Sequence, residues 1–335
     1  MVQQYDVVGI GNAIVDVLVH SEDAFLEEHG LVKGTMALVD ASQAERLYAS
    51  MGPGLESSGG SAANTLAAIA QLGGRAGFIG RVRNDQLGAI FAHDLRATGA
   101  SFDTPAAEDG PATARCMILV TPDAQRTMST FLGASTRLDP EDLDLSMVRR
   151  SRVLYLEGYL WDAEPAKRAF LAAAEEVRAH GGEVALSLSD PFCVERHRDS
   201  FLDLVENHVD ILFANEHEIL SLYATDHFET AVDRVRGHCR LAALTRSEKG
   251  SLVLEGERSH VIDPFVLGPL VDTTGAGDSY AAGFLYGYTQ GLPAERCGAI
   301  GSLCAGQVVT QMGPRSAMDL RELVLRQFSP VTRAA

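Results

Sequence analysis

Apolar and polar positions along this chain follow two rhythms. Residues 5–11, Tyr-Asp-Val-Val-Gly-Ile-Gly, read as a short strand ending in glycines. In 14–20 the residues Val15, Val17 and Val19 alternate with Asp16 and His20, the period of a half-buried strand. A short helix is expected at 22–28 and an extended run at 34–39. After Gly59-Gly60 a helix of small residues (Ala62, Ala63, Ala67, Ala68, Ala70) stops at Gly73-Gly74. A strand at 76–79 follows, then a helix with Leu87, Ile90, Phe91 and Leu95 on one face. Residues 114–120 and 126–132 are extended runs joined by Thr121-Pro122-Asp123-Ala124, a hairpin signal. With 13–39 they are expected to form a four-stranded antiparallel sheet apart from the core.

From 150 onward the rhythm is regular βα alternation. Strands are expected at 153–156, 184–188, 211–214 and 241–245, and helices at 165–180, after 215, and at 229–240. A hairpin is expected over 251–254 and 259–262. Glycine- and alanine-rich helices follow residue 278 and cover 297–311. The tail after Phe328 is expected to be loose. Such alternation predicts an α/β fold, a mostly parallel sheet with helices on both faces. Ligands of such sheets sit at the carboxyl ends of the strands, where Asn12, Gly59-Gly60, Asn215 and residues 272–278 fall.

The stretch Asp272-Thr273-Thr274-Gly275-Ala276-Gly277-Asp278 lies between an apolar run (Phe265, Val266, Leu267, Leu270, Val271) and a helix. Its glycines allow main-chain N–H groups to converge at a helix N-terminus, a receptacle for phosphate. Asp278 ends the turn. It could accept a proton from an alcohol attacking a phosphoryl group, or it could cap the helix. Gly59-Gly60-Ser61 is a second such turn.

Composition narrows the choices. The chain has 335 residues, and a net charge of −17 argues against a nucleic-acid surface. An anionic ligand must then be held by local dipoles, a metal ion or a few placed cations. No apolar run is long enough to cross a bilayer, and the N-terminus lacks a basic region, so a cytoplasmic protein is expected. The five cysteines (Cys116, Cys193, Cys239, Cys297, Cys304) contain no Cys-x-x-Cys and read as buried thiols in a reducing compartment. Gly9-x-Gly11 begins a dinucleotide-binding pattern, but position 14 is Ile14 rather than glycine. There is no P-loop, no protein-kinase Asp-Phe-Gly or His-Arg-Asp, no Gly-x-Ser-x-Gly and no His-Glu-x-x-His. Phosphoryl transfer by a glycine turn and an aspartate base remains.

On these residues the chain resembles the ribokinase-like carbohydrate kinases, the PfkB family. Both signatures of that family are present, one near 59–82 and the other at 272–278. The resemblance implies a Rossmann-like α/β core (1–12, 40–110 and 135–335) with a small β-sheet lid (13–39 and 111–134). It implies Asp278 as catalytic base and Gly275, Ala276 and Gly277 as the anion hole. Asn215 and Glu218 match the Asn-x-x-Glu motif that organises Mg²⁺, through water, and the phosphates of ATP. Thr245, Lys249 and Gly250 fall in the segment beside ATP, where Ser247 replaces a glycine of the family pattern. Asn12 and Asp16 match the residues that hold sugar hydroxyls, and Gly59, Gly60 and Asn64 complete that site. Asp272 and Thr274 are candidate carbonyl donors to a monovalent cation such as K⁺.

The phrase Leu186-Ser187-Leu188-Ser189-Asp190-Pro191-Phe192 resembles the adenosine-kinase branch. Met36 and Leu38 fall where that branch lines its purine pocket, and Tyr159 or Trp161 could add an aromatic wall. Arg126 could reach substrate or phosphate from the lid. The expected activity is ATP-dependent phosphorylation of the primary hydroxyl of a nucleoside, adenosine first. A sugar kinase acting on ribose or fructose is the alternative, and a non-catalytic sensor is a third reading. The partners expected are small molecules, with neither nucleic acid nor membrane, in a monomer or a homodimer paired through the lid.

Overall fold

A computed structural model describes residues 4–123 and 125–328. The tail after Phe328 and Ala124 of the hairpin turn lie outside the described residues.

The larger sheet has nine strands. In spatial order they are Arg258–Ile262, Ser251–Glu255, Leu241–Thr245, Ile211–Asn215, Glu183–Ser187, Ser151–Glu157, Tyr5–Ile10, Ala76–Ile79 and Ser101–Phe102. All pairings from Leu241–Thr245 to Ser101–Phe102 are parallel, and the first two strands form an antiparallel hairpin at one edge. Successive side chains of a strand leave on opposite faces, so each apolar strand feeds two cores. Val7, Tyr155, Phe213 and Ala243 pack on one face with Leu66, Phe78 and Phe284. Val8, Leu154, Leu212 and Ala242 pack on the other with Phe170, Phe201 and Val232. Helices Ser61–Gln71, Gln86–Ala97, Ala276–Thr289 and Ala294–Val308 cover the first face; Glu164–Ala179, Arg198–Asn207 and Phe228–Val235 cover the second. No described helix is long and apolar enough to cross a membrane.

The second sheet has five strands, not four, and it is mixed rather than antiparallel. Its order is Met36–Leu38, Arg126–Phe131, Ala114–Val120, Ile14–His20 and Leu55–Gly59. Met36–Leu38 pairs in parallel with Arg126–Phe131, and Ala114–Val120 pairs in parallel with Ile14–His20. The extra strand, Leu55-Glu56-Ser57-Ser58-Gly59, runs antiparallel to 14–18. Its polar sequence carries no period-two apolar signal, so it is invisible to pattern reading. Before it, helix Ala41–Ser50 starts with a capping box between Asp40 and Gln43. Ala44 and Leu47 of that helix pack with Val19, Met117 and Leu119 of the sheet. Residues 41–50 and 55–59 therefore go with the small sheet rather than with the core to which 40–110 were assigned.

Helix ends shift where turn chemistry intervenes. The helix expected at 229–240 runs Phe228–Val235, because Arg236 is extended and Gly237 turns left-handed at φ 91°. The apolar run 265–271 forms no strand, and Val266 and Leu270 are exposed.

Candidate active site

The strand ends of the large sheet and the inner face of the small one enclose a cavity of about 670 Å³, within the range of small-molecule sites. The residues of 14–18 sort by face. Val15 and Val17 turn into the packed core, while Ile14 and Asp16 line the cavity. Ile14, Met36, Leu38, Ile118 and Met128 give the cavity one apolar wall. Polar groups line it too: Asn12, Asp16, Ser61, Asn64, Glu157 and Asp278.

The turn after 272 is built as a helix start. Gly275 is the N-cap in the left-handed conformation, φ 76°, and a Cβ there would meet the Pro314 carbonyl at 2.4 Å. Only glycine meets both demands. The helix runs Ala276–Thr289, so Asp278 is its third residue and not its cap. The Asp278 carboxylate instead accepts from Ser61 Oγ at 2.6 Å and from Asn64 Nδ2 at 3.3 Å. The two glycine turns thus meet at this one side chain. Burial raises Asp278 to about 6, against the opposing pull of Ser61, Asn64 and the charge of Arg315. The Gly277 and Asp278 N–H groups lie in the first helical turn, which has no acceptors of its own. Ala276 N donates to the Thr273 carbonyl at 3.2 Å, so of the three expected anion-hole amides this one is already engaged.

Asn12 is held at both ends of its carboxamide. Its Nδ2 donates to Glu157 Oε1 at 2.7 Å, and its Oδ1 accepts from Ser135 Oγ at 2.8 Å. Glu157, fully buried, also accepts from the main-chain N–H of Asn12 and, at 2.8 Å, of Ala62. Burial raises this carboxyl to about 7 despite those donors, with the Asp278 charge adding to the rise. Gly60, at φ 94°, brings the second turn so close to Asn12 that a Cβ would meet its carbonyl at 2.2 Å. Gly59 is the last residue of the extra lid strand, paired with Ile14, and does not line the cavity. Asp16 does, and burial raises it to about 6, opposed by Arg315 and Arg126.

Asn215 and Glu218 form a capping box at helix Glu216–Leu222. Asn215 Nδ2 donates to Glu218 Oε1 at 2.6 Å, and Glu218 N donates to Asn215 Oδ1 at 2.9 Å. Burial raises Glu218 to about 7, and the charges of Asp190 and Asp278 add to the rise. Among the described residues no cluster of three or more His, Cys, Asp or Glu would hold an ion alone. Glu218 is the carboxylate that would stand beside a divalent cation at this end of the cavity.

A second cavity, of about 570 Å³, shares Asn215, Thr245, Thr273, Ala276 and Gly277 with the first. It extends along Ser247, Gly250 and the apolar residues Phe265, Val266, Leu270 and Val309. The exposed apolar run therefore walls a pocket. Ser247 has φ 52°, the left-handed region that favours glycine, consistent with the glycine of the family pattern there. Lys249 lines neither cavity; with Arg246 it pairs with Glu216. Of the two aromatic candidates, Tyr159 lines the larger cavity, whereas Trp161 is buried between Phe170 and Phe201.

Asp272 does not line the cavity. Its carboxylate accepts from Thr274 N and Oγ1 and from Gly313 N, and pairs with Arg126 of the lid at 2.8 Å. The carboxylate is thus already neutralised, and a monovalent cation here would be left with main-chain carbonyls. Among the site residues that sequence reasoning missed are Ser61, which bonds Asp278, and Glu157 and Arg315. Neither of the last two belongs to a recognisable motif, although Glu157 stands at the end of an expected strand, where a carboxylate after an apolar run is a usable signal.

A family model described as pfkB family carbohydrate kinase matches residues 53–321. The crystal structure of adenosine kinase from Sinorhizobium meliloti is 51% identical, covers 97% of this chain and 99% of that one, and superposes with a TM-score of 0.88. A probable sugar kinase from Rhizobium etli CFN 42 is 48% identical over the same shares, with a TM-score of 0.90. The 5-dehydro-2-deoxygluconokinase of Geobacillus thermodenitrificans is 26% identical over 83% of this chain and 85% of its own length.

Proposed function

This chain belongs to the pfkB family of carbohydrate kinases, with the ribokinase-like fold, and from that premise we propose that it phosphorylates the primary hydroxyl of adenosine from ATP. As a kinase of sugars or nucleosides it acts on small molecules, and the family uses ATP with a divalent metal. The choice of a nucleoside rests on one observation. Besides its polar groups the cavity has an apolar wall, Ile14, Met36, Leu38, Ile118 and Met128, all from strands of the small sheet. A free sugar has hydroxyls on every side and gains little from such a wall; a purine gains its whole face. Burying about 100 Å² of base is worth about 2.5 kcal/mol, on the order of 100-fold in binding. The similar Sinorhizobium meliloti protein is called an adenosine kinase, which agrees.

Asp16 accepts from the vicinal ribose hydroxyls. Asp278, near pKa 6, is largely ionised at pH 7 and basic enough to take the 5′-hydroxyl proton. The hydroxyl oxygen forms its bond to the γ-phosphorus as the bond to the bridging β–γ oxygen breaks; the proton goes to Asp278 and ADP leaves. The Gly277 and Asp278 amides at the helix N-terminus take charge on the phosphoryl oxygens. Mg²⁺, with Glu218 as its nearby carboxylate, supplies neutralisation of the phosphates. The donor nucleotide occupies the second cavity, along Thr245 to Gly250 and Phe265 to Leu270. Monomer and lid-paired homodimer both fit this reading, as does a cytoplasmic location.

The sugar reading draws on the curated relatives, among them the 5-dehydro-2-deoxygluconokinase and a probable fructokinase of Arabidopsis thaliana. ADP release measured on adenosine, other nucleosides, ribose and fructose separates the two. We expect kcat/KM for adenosine about 100-fold above either free sugar; a higher value for a free sugar would overturn the nucleoside assignment.

A further inference from the structure

The segment after helix Ala294–Val308 folds back over the anion turn. Gly313 N donates to Asp272 Oδ2 at 2.8 Å, and Pro314 sits against Gly275. Gln311 clasps the segment by accepting from Ala317 N at 3.0 Å and donating to the Arg315 carbonyl. The Arg315 backbone is therefore fixed, and its side chain, only 22% exposed, reaches inward.

There its guanidinium touches two residues. Nε donates to Asn64 Oδ1 at 3.0 Å, and Nη1 donates to Asp94 Oδ2 at 3.2 Å. The contact to Asn64 has a chemical consequence. A carboxamide has one acceptor end and one donor end. With Oδ1 turned to a guanidinium that can only donate, Nδ2 must face the other way, and there it donates to Asp278 Oδ2 at 3.3 Å. Flipped, Asn64 would turn a carbonyl oxygen on a carboxylate and an amino group on a cation. The chain Arg315, Asn64, Asp278 thus has one allowed hydrogen-bond direction. Asp94 is held in turn, accepting from Ser58 N and Oγ of the last lid strand.

We propose that Arg315 is a positioning residue of the phosphoryl transfer: it fixes the Asn64 carboxamide with its amino group on Asp278 and so keeps that base ionised. The inference rests on Asp278 being the base. The charges around Asp278 make the role necessary. Asp16, Glu157 and Glu218 all lie near enough to feel its charge, and so do the phenols of Tyr155 and Tyr159. Arg315 is the cation that acts on Asp278, and it acts on Asp16 as well, whereas Arg126 acts on Asp16 alone of the two. Without Arg315 the base would lose that opposing charge and the contact that orients Asn64, and its protonated form would gain.

The test uses the full chain with Mg-ATP and adenosine, or fructose should the substrate panel favour a sugar. kcat is followed from pH 5.5 to 8.5 at saturating acceptor, so that ionisation of Asp16 falls into KM. In Arg315→Met the acid limb should move up by about one pH unit, about a tenfold loss below the midpoint and little loss at pH 8. Asn64→Leu should move it the same way, and Arg315→Met added to Asn64→Leu should move it by less than half as much. A uniform loss with an unmoved limb would assign Arg315 a merely structural role and overturn the proposal. An equal Arg315→Met shift in the Asn64→Leu background would overturn the relay. Should Arg315→Met not fold, Asn64→Leu decides alone, and an unmoved limb there overturns it. Asp278→Asn run in parallel separates the two readings. Full activity in it removes the base, and the relay with it; an inactive Asp278→Asn beside an unmoved Arg315→Met limb removes the relay alone.

Discussion

Arg126 and Asp272 are paired at 2.8 Å with both side chains less than 10% exposed, one on the lid hairpin and one at the mouth of the anion turn. Arg126 Nη1 also donates to Thr274 Oγ1 at 3.1 Å. The pair fastens the small sheet to the loop that leads into helix Ala276–Thr289. Removing one partner leaves the other charge buried and alone, which costs more than the pair itself is worth. Arg126→Met should therefore lose about 3 kcal/mol in urea unfolding. Asp272→Asn, which also weakens the bonds from Gly313 and Thr274, should lose a similar amount. In the double variant the losses should fall short of additive by more than 1 kcal/mol.

The base makes a kinetic prediction. Asp278→Asn keeps the contacts with Ser61 and Asn64 in outline but cannot take a proton. Turnover should fall about 10²- to 10⁴-fold with acceptor KM nearly unchanged and the chain still folded. In the native chain kcat should decline as pH drops through about 6, where Asp278 takes up its proton. Initial rates across pH 5–8 on both proteins check this; the residual Asp278→Asn activity should lack that limb.

Ligand-free stability should depend on pH in the sense opposite to ordinary acid denaturation. Burial raises Asp16 and Asp278 to about 6 and Glu157 and Glu218 to about 7. Below its unfolded value each carboxyl is protonated in both states and has no effect. Between the unfolded and folded values the folded state binds the extra proton, so stability falls as pH rises. The carboxylates with lowered values, such as Asp123 at about 2, lose their contribution only in stronger acid. The net charge of −17 acts in the same sense near neutrality. Thermal melts should rise on acidification from pH 8 to 6. Glu157→Gln should flatten that slope, by about 1.4 kcal/mol between pH 8 and pH 6.

The parts of this molecule that were legible in the sequence are those in which local pattern and tertiary role coincide. The strands at 153–156, 184–188 and 211–214 are apolar because they are buried on both faces, and nothing in their surroundings contradicts it. Leu55–Gly59 was illegible because its partner strand, not its own composition, makes it a strand. The turn at 272–278 announces an anion site through Gly275 and Gly277, yet the same letters allowed Asp278 to be a cap. The helix starts at Ala276 with Gly275 as its cap, and the Asp278 carboxylate turns instead to Ser61, more than 200 positions away, which removes the cap reading. Lys249 falls in the segment that the resemblance sets beside ATP, but a lone lysine shows no partner in sequence, and its partner Glu216 comes from another strand end. Glu157 and Arg315 matter for what they hold, and such holding is a property of the folded chain.

Met36 and Leu38 offer a test of the apolar wall that folding does not confound. Both stand on the outermost strand of the small sheet, and both are more than half exposed, so neither is needed to bury the core. Yet both line the cavity, on the side where a base would lie. Changing both to serine should leave the unfolding free energy within about 0.5 kcal/mol, as for other surface substitutions. Adenosine would lose the apolar cover from two side chains, worth about 1.5 kcal/mol, so its KM should rise about tenfold with kcat nearly unchanged. KM for ATP, bound in the other cavity, should not move. Any activity on ribose should be unaffected too, since ribose ends before the wall begins. An unchanged adenosine KM would mean that the base lies elsewhere, and the nucleoside reading would lose the observation that carries it.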